Sequence, residues 1–184
     1  MSNKFYLDMD GVVADWVTNA ANVIGRRITD PTVMYTREEW DSLRADPHIF
    51  RNLPLMPRCD ELVALARQYR DVLGWELNFL TAIPHNNDVP WTFHDKMKWA
   101  GERFADIPVH FGPYSEDKQR HCTAGDILVD DRYDNCMQWV DAGGVAFKVG
   151  KTLDSAIIAV ESDLTSRLRE HAGMEARRLI LTTL

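Results

Sequence analysis

Short apolar runs alternate with longer amphipathic segments along most of the chain. Helical spacing of apolar residues begins near Pro57, Pro90, Tyr133 and Thr152. Five apolar runs bounded by turn residues are typical of buried strands, and they cover residues 4–8, 75–81, 107–111, 126–130 and 144–149. Strands that alternate with helices predict an α/β fold, a three-layer, Rossmann-like parallel sheet with helices on both faces.

One segment interrupts this alternation. Residues 15–56 show helical and loop patterns but no strand pattern. Within them, Thr36 and Glu39 have the spacing of a capping box, which predicts the start of a helix. We therefore expect one domain over residues 1–184, made of a core (1–14 and 57–184) and a helical cap insertion at about 15–56.

Acidic residues follow two of the predicted strands. Asp8 and Asp10 end the first strand, and Asp130 and Asp131 end the fourth. Ligand-binding residues of parallel sheets lie beyond the carboxyl ends of the strands, so we expect these acids to converge. Converging carboxylates need a cation between them, and Mg²⁺ accepts two or three protein oxygens while it keeps several waters. The pattern predicts a Mg²⁺ site that includes the backbone carbonyl of Asp10, and it leaves open whether Asp130 or Asp131 binds directly.

Two further residues have the chemistry to bind a phosphate group. Thr81 ends the second predicted strand, where its hydroxyl and the following N–H groups could hold phosphate oxygens. Lys118 follows the third strand and supplies a fixed positive charge. A carboxylate nucleophile, a magnesium ion, a hydroxyl and an ammonium group are what phosphoryl transfer requires.

These residues also carry a resemblance to a known family. "DMDGV", Thr81, Lys118 and the "DD" pair at 130–131, in that order, resemble the four motifs of the haloacid dehalogenase-like (HAD-like) phosphatases over residues 4 to about 150. More narrowly, "DMDGVVADW", "NLPLMPRCDELVALA", "LTAIP", "HFGPYSEDK" and "GDILVDDRYDN" are similar to the 5'(3')-deoxyribonucleotidases. The chain departs from the family at Ala82, where a serine is frequent, and this leaves the substrate preference open.

The resemblance implies a role for each of these residues. Asp8 would attack phosphorus and become an aspartyl phosphate. Asp10 would protonate the leaving nucleoside oxygen and then accept a proton from the hydrolytic water. Thr81 and Lys118 would bind the phosphate. The implied Mg²⁺ ligands are Asp8, the Asp10 carbonyl and Asp131, with Asp130 beside them.

Aromatic residues near the first motif extend the resemblance to the substrate. Trp16 lies where the nucleotidases place an aromatic ring against the base, and Met34 or Tyr35 would approach from the cap. Stacking on an aromatic ring contributes about 1–3 kcal/mol per base. The expected substrate is a (deoxy)ribonucleoside monophosphate. Two alternatives stay open, namely another small phosphate ester such as a sugar phosphate, and a non-catalytic, magnesium-dependent phospho-receiver module.

Composition and charge limit the classes of binding partner that we expect. With 28 acidic and 21 basic residues, the net charge of -7 disfavours stable nucleic-acid binding. No apolar run approaches the roughly 20 residues of a membrane helix, so no membrane partner is expected. The start "MSNK" lacks a signal-peptide apolar region, and the 3 cysteines are spaced unlike a disulfide framework, which together predict a cytoplasmic protein. The sequence leaves a homodimer open.

Overall fold

A single parallel sheet forms the centre of the protein. The computed structural model describes residues 2–26, 35–85 and 89–182. Its strand order is β3-β2-β1-β4-β5, and every neighbouring pair is parallel. The strands are β1 (Lys4–Leu7), β2 (Glu76–Thr81), β3 (Val109–Phe111), β4 (Ile127–Asp130) and β5 (Val145–Lys148). Each lies within a strand predicted from the sequence, so the predicted α/β parallel sheet is confirmed.

Helices fill the intervals between the strands. They are α1 (Trp16–Ile24), α2 (Arg37–Arg44), α3 (Cys59–Leu73), α4 (Thr92–Arg103), α5 (Tyr133–Asp141) and α6 (Asp154–Thr182), with a 3₁₀ helix at Ser115–His121. The predicted capping box is present at the start of α2. The Thr36 backbone N–H donates to Glu39 Oε2 at 2.8 Å, and the Glu39 N–H donates to Thr36 Oγ1 at 3.3 Å. Within the described ranges, no helix combines the length and the apolar character needed to cross a membrane.

Successive residues of each strand face opposite sides of the sheet, and both sides are covered by helices. On one side, Phe5 and Leu7 belong to the main hydrophobic core, which also contains residues of α3, α4 and α6. On the other side, Tyr6 and Leu128 pack with Trp139 of α5. The protein therefore has the three layers predicted from the sequence.

Residues 15–56, which we call the cap segment, connect β1 to α3 and contain α1 and α2; residues 27–34 lie outside the described ranges. The two ends of the cap segment are joined by hydrogen bonds. The Asp15 N–H donates to the Pro54 carbonyl at 2.9 Å, and the Met56 N–H donates to the Val13 carbonyl at 2.9 Å. The segment thus leaves and re-enters the core at one place, next to the end of β1. Its role as a cap over a site stays a prediction.

Candidate active site

Three of the predicted metal ligands meet where β1 and β4 end side by side. Asp8 directly follows β1, Asp130 ends β4, and Asp131 comes next along the chain. One carboxylate oxygen from each lies within 4.8 Å of the other two. The Asp8 and Asp130 residues are only 5% and 0% exposed. The parallel pairing of β1 with β4 therefore creates a compact acidic cluster in which Asp8 and Asp130 are buried and Asp131 is partly exposed.

Lys118 of the 3₁₀ helix bridges two of these acids. Its Nζ lies 2.8 Å from Asp8 Oδ1 and 2.7 Å from Asp130 Oδ2. Burial by itself lowers the pKa of Lys118, but the carboxylates of Asp130 and Asp8 outweigh it and raise the pKa above its usual value. Asn135 of α5 donates from Nδ2 to both oxygens of Asp130 at 3.0 Å. The ammonium is thus a permanent charge, and Asp130 is held from two sides.

The acidic cluster holds more negative charge than Lys118 offsets. Burial raises the pKa of Asp8 to about 6, with Asp130 and Asp10 adding repulsion and Lys118 opposing the shift. Burial and the neighbouring Asp130 and Asp8 raise the pKa of Asp131 well above its usual range. A divalent cation would relieve both effects, and carboxylate oxygens are the ligands that Mg²⁺ prefers. Asp8, Asp130 and Asp131 therefore fit a magnesium ion.

Gly11 of the first motif is required by this geometry. Its φ of +77° lies in the left-handed region, and a Cβ atom at this position would lie 2.5 Å from Asp131 Oδ2. Only glycine lets the turn after β1 approach the Asp131 carboxylate this closely. In the first motif, the two aspartates thus supply the chemistry, and the glycine that follows them is required for steric reasons.

Asp10 faces a second buried lysine. Lys96 of α4 is only 1% exposed, and its Nζ donates to Asp10 Oδ2 at 2.5 Å, to Thr81 Oγ1 at 2.8 Å and to the Ala82 carbonyl at 2.7 Å. The other carboxylate oxygen of Asp10, Oδ1, is buried and has no hydrogen-bond partner among the described residues. Asp10 is therefore held through one carboxylate oxygen, and no described residue engages the other. Metal binding by its backbone carbonyl stays a prediction.

The sequence analysis missed Lys96 and Asn135. Both are polar residues on helix faces that are otherwise buried: Lys96 lies near Trp99 and Ala100 in α4, and Asn135 lies next to Cys136 in α5. A polar residue within an apolar helical stripe was the available signal. Such a residue needs a buried partner, because an unpaired buried charge is costly.

The two aromatic residues predicted to contact a base lie together in the cap segment. The Trp16 ring stacks on Phe50 with centroids 4.8 Å apart and planes at 9°, and its Nε1 donates to the Tyr35 hydroxyl at 3.0 Å. The Phe50 ring centroid also lies 4.9 Å from Lys96 Nζ. Aromatic rings of the cap segment therefore adjoin the lysine that binds Asp10. Base contact by Trp16 and Tyr35 stays a prediction, and Met34 lies outside the described residues.

Comparison with known proteins gives curated relatives that match most of the chain. Two proteins from strains of Staphylococcus epidermidis, each named "Putative 5'(3')-deoxyribonucleotidase", are 28% identical over 142 residues, which is 70% of this chain and 73% of each relative. No protein-family model matches the chain.

Two solved structures are also similar. A hydrolase from Streptococcus pneumoniae has a TM-score of 0.45 and 12% identity, covering 81% of this chain and 93% of its own. A HAD family enzyme from Bacteroides thetaiotaomicron, in complex with magnesium and inorganic phosphate, has a TM-score of 0.44 and 10% identity. The match covers 82% of this chain and 95% of that enzyme's chain.

The fold is α/β, with a five-stranded parallel sheet, helices on both faces and acids at the ends of β1 and β4. Within that class, the chain is similar to proteins named 5'(3')-deoxyribonucleotidase, as its motifs predict.

Proposed function

We propose that the protein is a magnesium-dependent phosphatase that hydrolyses (deoxy)ribonucleoside monophosphates to nucleoside and phosphate through an aspartyl-phosphate intermediate. The observation that carries the proposal is the compact cluster of Asp8, Asp130 and Asp131, with the Lys118 ammonium 2.8 Å from Asp8. Catalysis of phosphoryl transfer consists mainly of positioning and charge stabilisation, and this cluster supports both. When bound, Mg²⁺ supplies positive charge that keeps Asp8 ionised and offsets the charge of the phosphate.

In the first step, a carboxylate oxygen of Asp8 attacks phosphorus. A new O–P bond forms, the bond from phosphorus to the nucleoside oxygen breaks, and Asp10 transfers its proton to that oxygen. The unpartnered Oδ1 of Asp10 supports this role. Thr81 and Lys118 bind the phosphate oxygens and hold the group in line for displacement.

In the second step, water attacks the phosphorus of the aspartyl phosphate. Asp10, now ionised, accepts a proton from the water, and the bond from phosphorus to Asp8 breaks to release inorganic phosphate. One residue thus acts as acid and then as base. Lys96 holds the side chain of Asp10 in both steps. Its ammonium donates to Oδ2 of Asp10, which leaves Oδ1 of Asp10 for the proton transfer.

The nucleoside part of the proposal rests on two observations. The relatives are named for 5'(3')-deoxyribonucleotidase activity, and the aromatic group of Trp16, Tyr35 and Phe50 adjoins Lys96. An aromatic surface beside a phosphate site suits a planar base better than a sugar.

The proposed location of the protein is the cytoplasm. Its three cysteines are free, which supports a reducing compartment of this kind.

The test is a panel of nucleoside monophosphates and sugar phosphates, assayed with Mg²⁺ and then with excess EDTA. We expect turnover only with Mg²⁺, higher kcat/KM for nucleotides, and no turnover by Asp8→Asn. Equal kcat/KM for sugars and nucleotides would contradict the nucleotidase assignment. A stable phosphoprotein with no release of phosphate would instead favour the receiver module.

A further inference from the structure

Helix α4 carries two adjacent charged residues that are both buried. Asp95 is 0% exposed and Lys96 is 1% exposed. Lys96 contacts Asp10 and Thr81 at the ends of the strands, whereas Asp95 contacts the cap segment. The mechanism proposed above uses Lys96 but gives no reason for a buried carboxylate beside it.

The partners of Asp95 come from residues 48–51 of the cap segment. Arg51 places Nε 3.0 Å and Nη2 2.8 Å from Asp95 Oδ1, and His48 Nδ1 lies 3.0 Å from Asp95 Oδ2. Charge-assisted contacts of this kind are among the stronger hydrogen bonds in proteins. Because Asp95 is completely buried, the loss of its partners would leave an uncompensated charge. The contact therefore fixes the cap segment to the first turn of α4.

The same stretch of the cap segment continues along α4. Phe50 lies over Lys96 Nζ at 4.9 Å, and the Leu53 carbonyl accepts a hydrogen bond from Trp99 Nε1 at 2.8 Å. Consecutive parts of the cap segment thus contact Asp95, Lys96 and Trp99. Phe50, whose ring covers Lys96, lies between the two residues that bind Asp95, His48 and Arg51, so its position depends on this anchor.

We propose that Asp95 is a positioning residue: by binding His48 and Arg51 it docks the cap segment on α4 and so holds the Lys96 ammonium against Asp10. The inference rests on the acid and base role proposed for Asp10. Without this anchor, Phe50 no longer covers Lys96, and the first turn of α4 is free to shift. The carboxylate of Asp10 then loses the contact that directs Oδ1 toward the leaving oxygen.

The kinetic test compares two substrates with different leaving groups. A nucleoside alkoxide needs a proton from Asp10 to leave, whereas p-nitrophenolate leaves without one. We expect Asp95→Asn and Arg51→Met to lower kcat/KM for the preferred nucleoside monophosphate about tenfold more than kcat/KM for p-nitrophenyl phosphate. This is a fraction of the roughly 10²–10⁴-fold rate increase that a general acid contributes, because Asp10 itself is still present. Equal losses for the two esters would overturn the proposal, since a merely structural role does not depend on the leaving group.

Asp106→Asn is the matched control. Asp106 also forms a forked pair with an arginine, with Arg67 Nε at 2.9 Å and Nη2 at 2.7 Å, but neither residue contacts α4 or the cap segment through this pair. The control also removes a carboxylate that arginines bind, Arg70 as well as Arg67, but at an exposed position. We expect it to leave the ratio of the two kcat/KM values unchanged.

A second measurement does not depend on any substrate. The ammonium of Lys96 can be observed by NMR in protein with isotope-labelled lysine side chains and assigned with Lys96→Met. We expect its signal to shift in Asp95→Asn and Arg51→Met but not in Asp106→Asn, and an unchanged signal would overturn the proposal. If Asp95→Asn does not fold, Arg51→Met and His48→Gln alter partly exposed side chains and give the same test. Failure of the wild type to hydrolyse either ester would count against the proposed function alone.

Discussion

Gly11 lies so close to Asp131 that a methyl group on its α-carbon would be 2.5 Å from Asp131 Oδ2. The turn after β1 is thereby packed directly against the residue that follows β4. Because Asp8 precedes this turn by three positions, the contact fixes the separation between the two halves of the acidic cluster. The geometry of the proposed ion site therefore depends on a backbone position as well as on the acids.

We predict that Gly11→Ala weakens Mg²⁺ binding and destabilises the fold. The positive φ costs about 1–2 kcal/mol for a residue with a Cβ atom, and the methyl group displaces the Asp131 carboxylate. Denaturant unfolding and calorimetric Mg²⁺ titration measure the two effects.

Gly74→Ala is the control for this prediction. Gly74 has a φ of +71°, but a Cβ atom there meets nothing within 4 Å. We expect a similar loss of stability from the backbone conformation and no change in Mg²⁺ affinity. Wild-type Mg²⁺ affinity in Gly11→Ala would show that Asp131 does not belong to the ion site.

Asp10→Asn is expected to lower kcat on nucleoside monophosphates by about 10²-fold or more, because it removes the general acid and base. Asp8 remains as the nucleophile. With p-nitrophenyl phosphate, we therefore expect a burst of one equivalent of p-nitrophenolate and a phosphoprotein that turns over slowly. Rapid-mixing absorbance measures the burst of p-nitrophenolate, and intact-protein mass spectrometry measures the phosphoprotein. An unchanged kcat would show that another group transfers the proton.

The pH dependence of stability that Asp8 causes should disappear on addition of Mg²⁺. The folded-state pKa of Asp8 is raised to about 6, above its unfolded value near 3.9, so the folded metal-free protein binds the extra proton. Stability then falls as pH rises from about 4 to about 6, by about 3 kcal/mol for this group. Mg²⁺ favours the ionised form and should remove the loss.

This dependence is measured as the difference in unfolding free energy between wild type and Asp8→Asn across pH 4–8, with EDTA or Mg²⁺. Subtracting the variant cancels the contributions of groups that Asp8 does not influence. A difference that stays flat with pH in EDTA would mean that the buried carboxyl has an ordinary pKa.

Lys118→Met should be strongly destabilising in EDTA, because it leaves Asp8 and Asp130 buried without their shared cation. Removing one partner of a buried ion pair typically costs about 3–5 kcal/mol. We expect Mg²⁺ to recover part of this loss. Urea unfolding at neutral pH measures both changes.

Lys98→Met gives the comparison. Its ammonium lies 3.8 Å from Glu102 with 46% of the lysine side chain exposed, and such surface pairs contribute about 0–1 kcal/mol. Equal losses in the two variants would contradict the description of Lys118 as a buried bridge.

The sequence predicted the strands and the acids at their ends because both depend on local order. A short apolar run that ends in a polar residue needs no knowledge of distant contacts, and Asp8, Thr81 and Asp130 all follow this rule. The central position of β1 between β2 and β4 was not predicted, since strand order is set by packing.

Lys96 and Asp95 were missed for a related reason. Helical periodicity assigns charged residues to the solvent side, but these two are buried because α4 lies between the strand ends, which Lys96 contacts, and residues 48–53. A contact between segments more than 40 positions apart leaves no periodic signal. Trp16 and Tyr35 show the opposite case: the sequence indicated aromatic character, but only the structure shows that they contact each other.

The bridge between Ala14 and Leu55, with its flanking hydrogen bonds, has a consequence for protein engineering. Insertions are tolerated best where their two ends meet, because the surrounding scaffold need not be stretched. A lengthened, shortened or transplanted segment between these two residues would leave the five strands in register. Selectivity could then diversify by exchange of this segment, provided that the new segment keeps the contacts of His48 and Arg51 with Asp95.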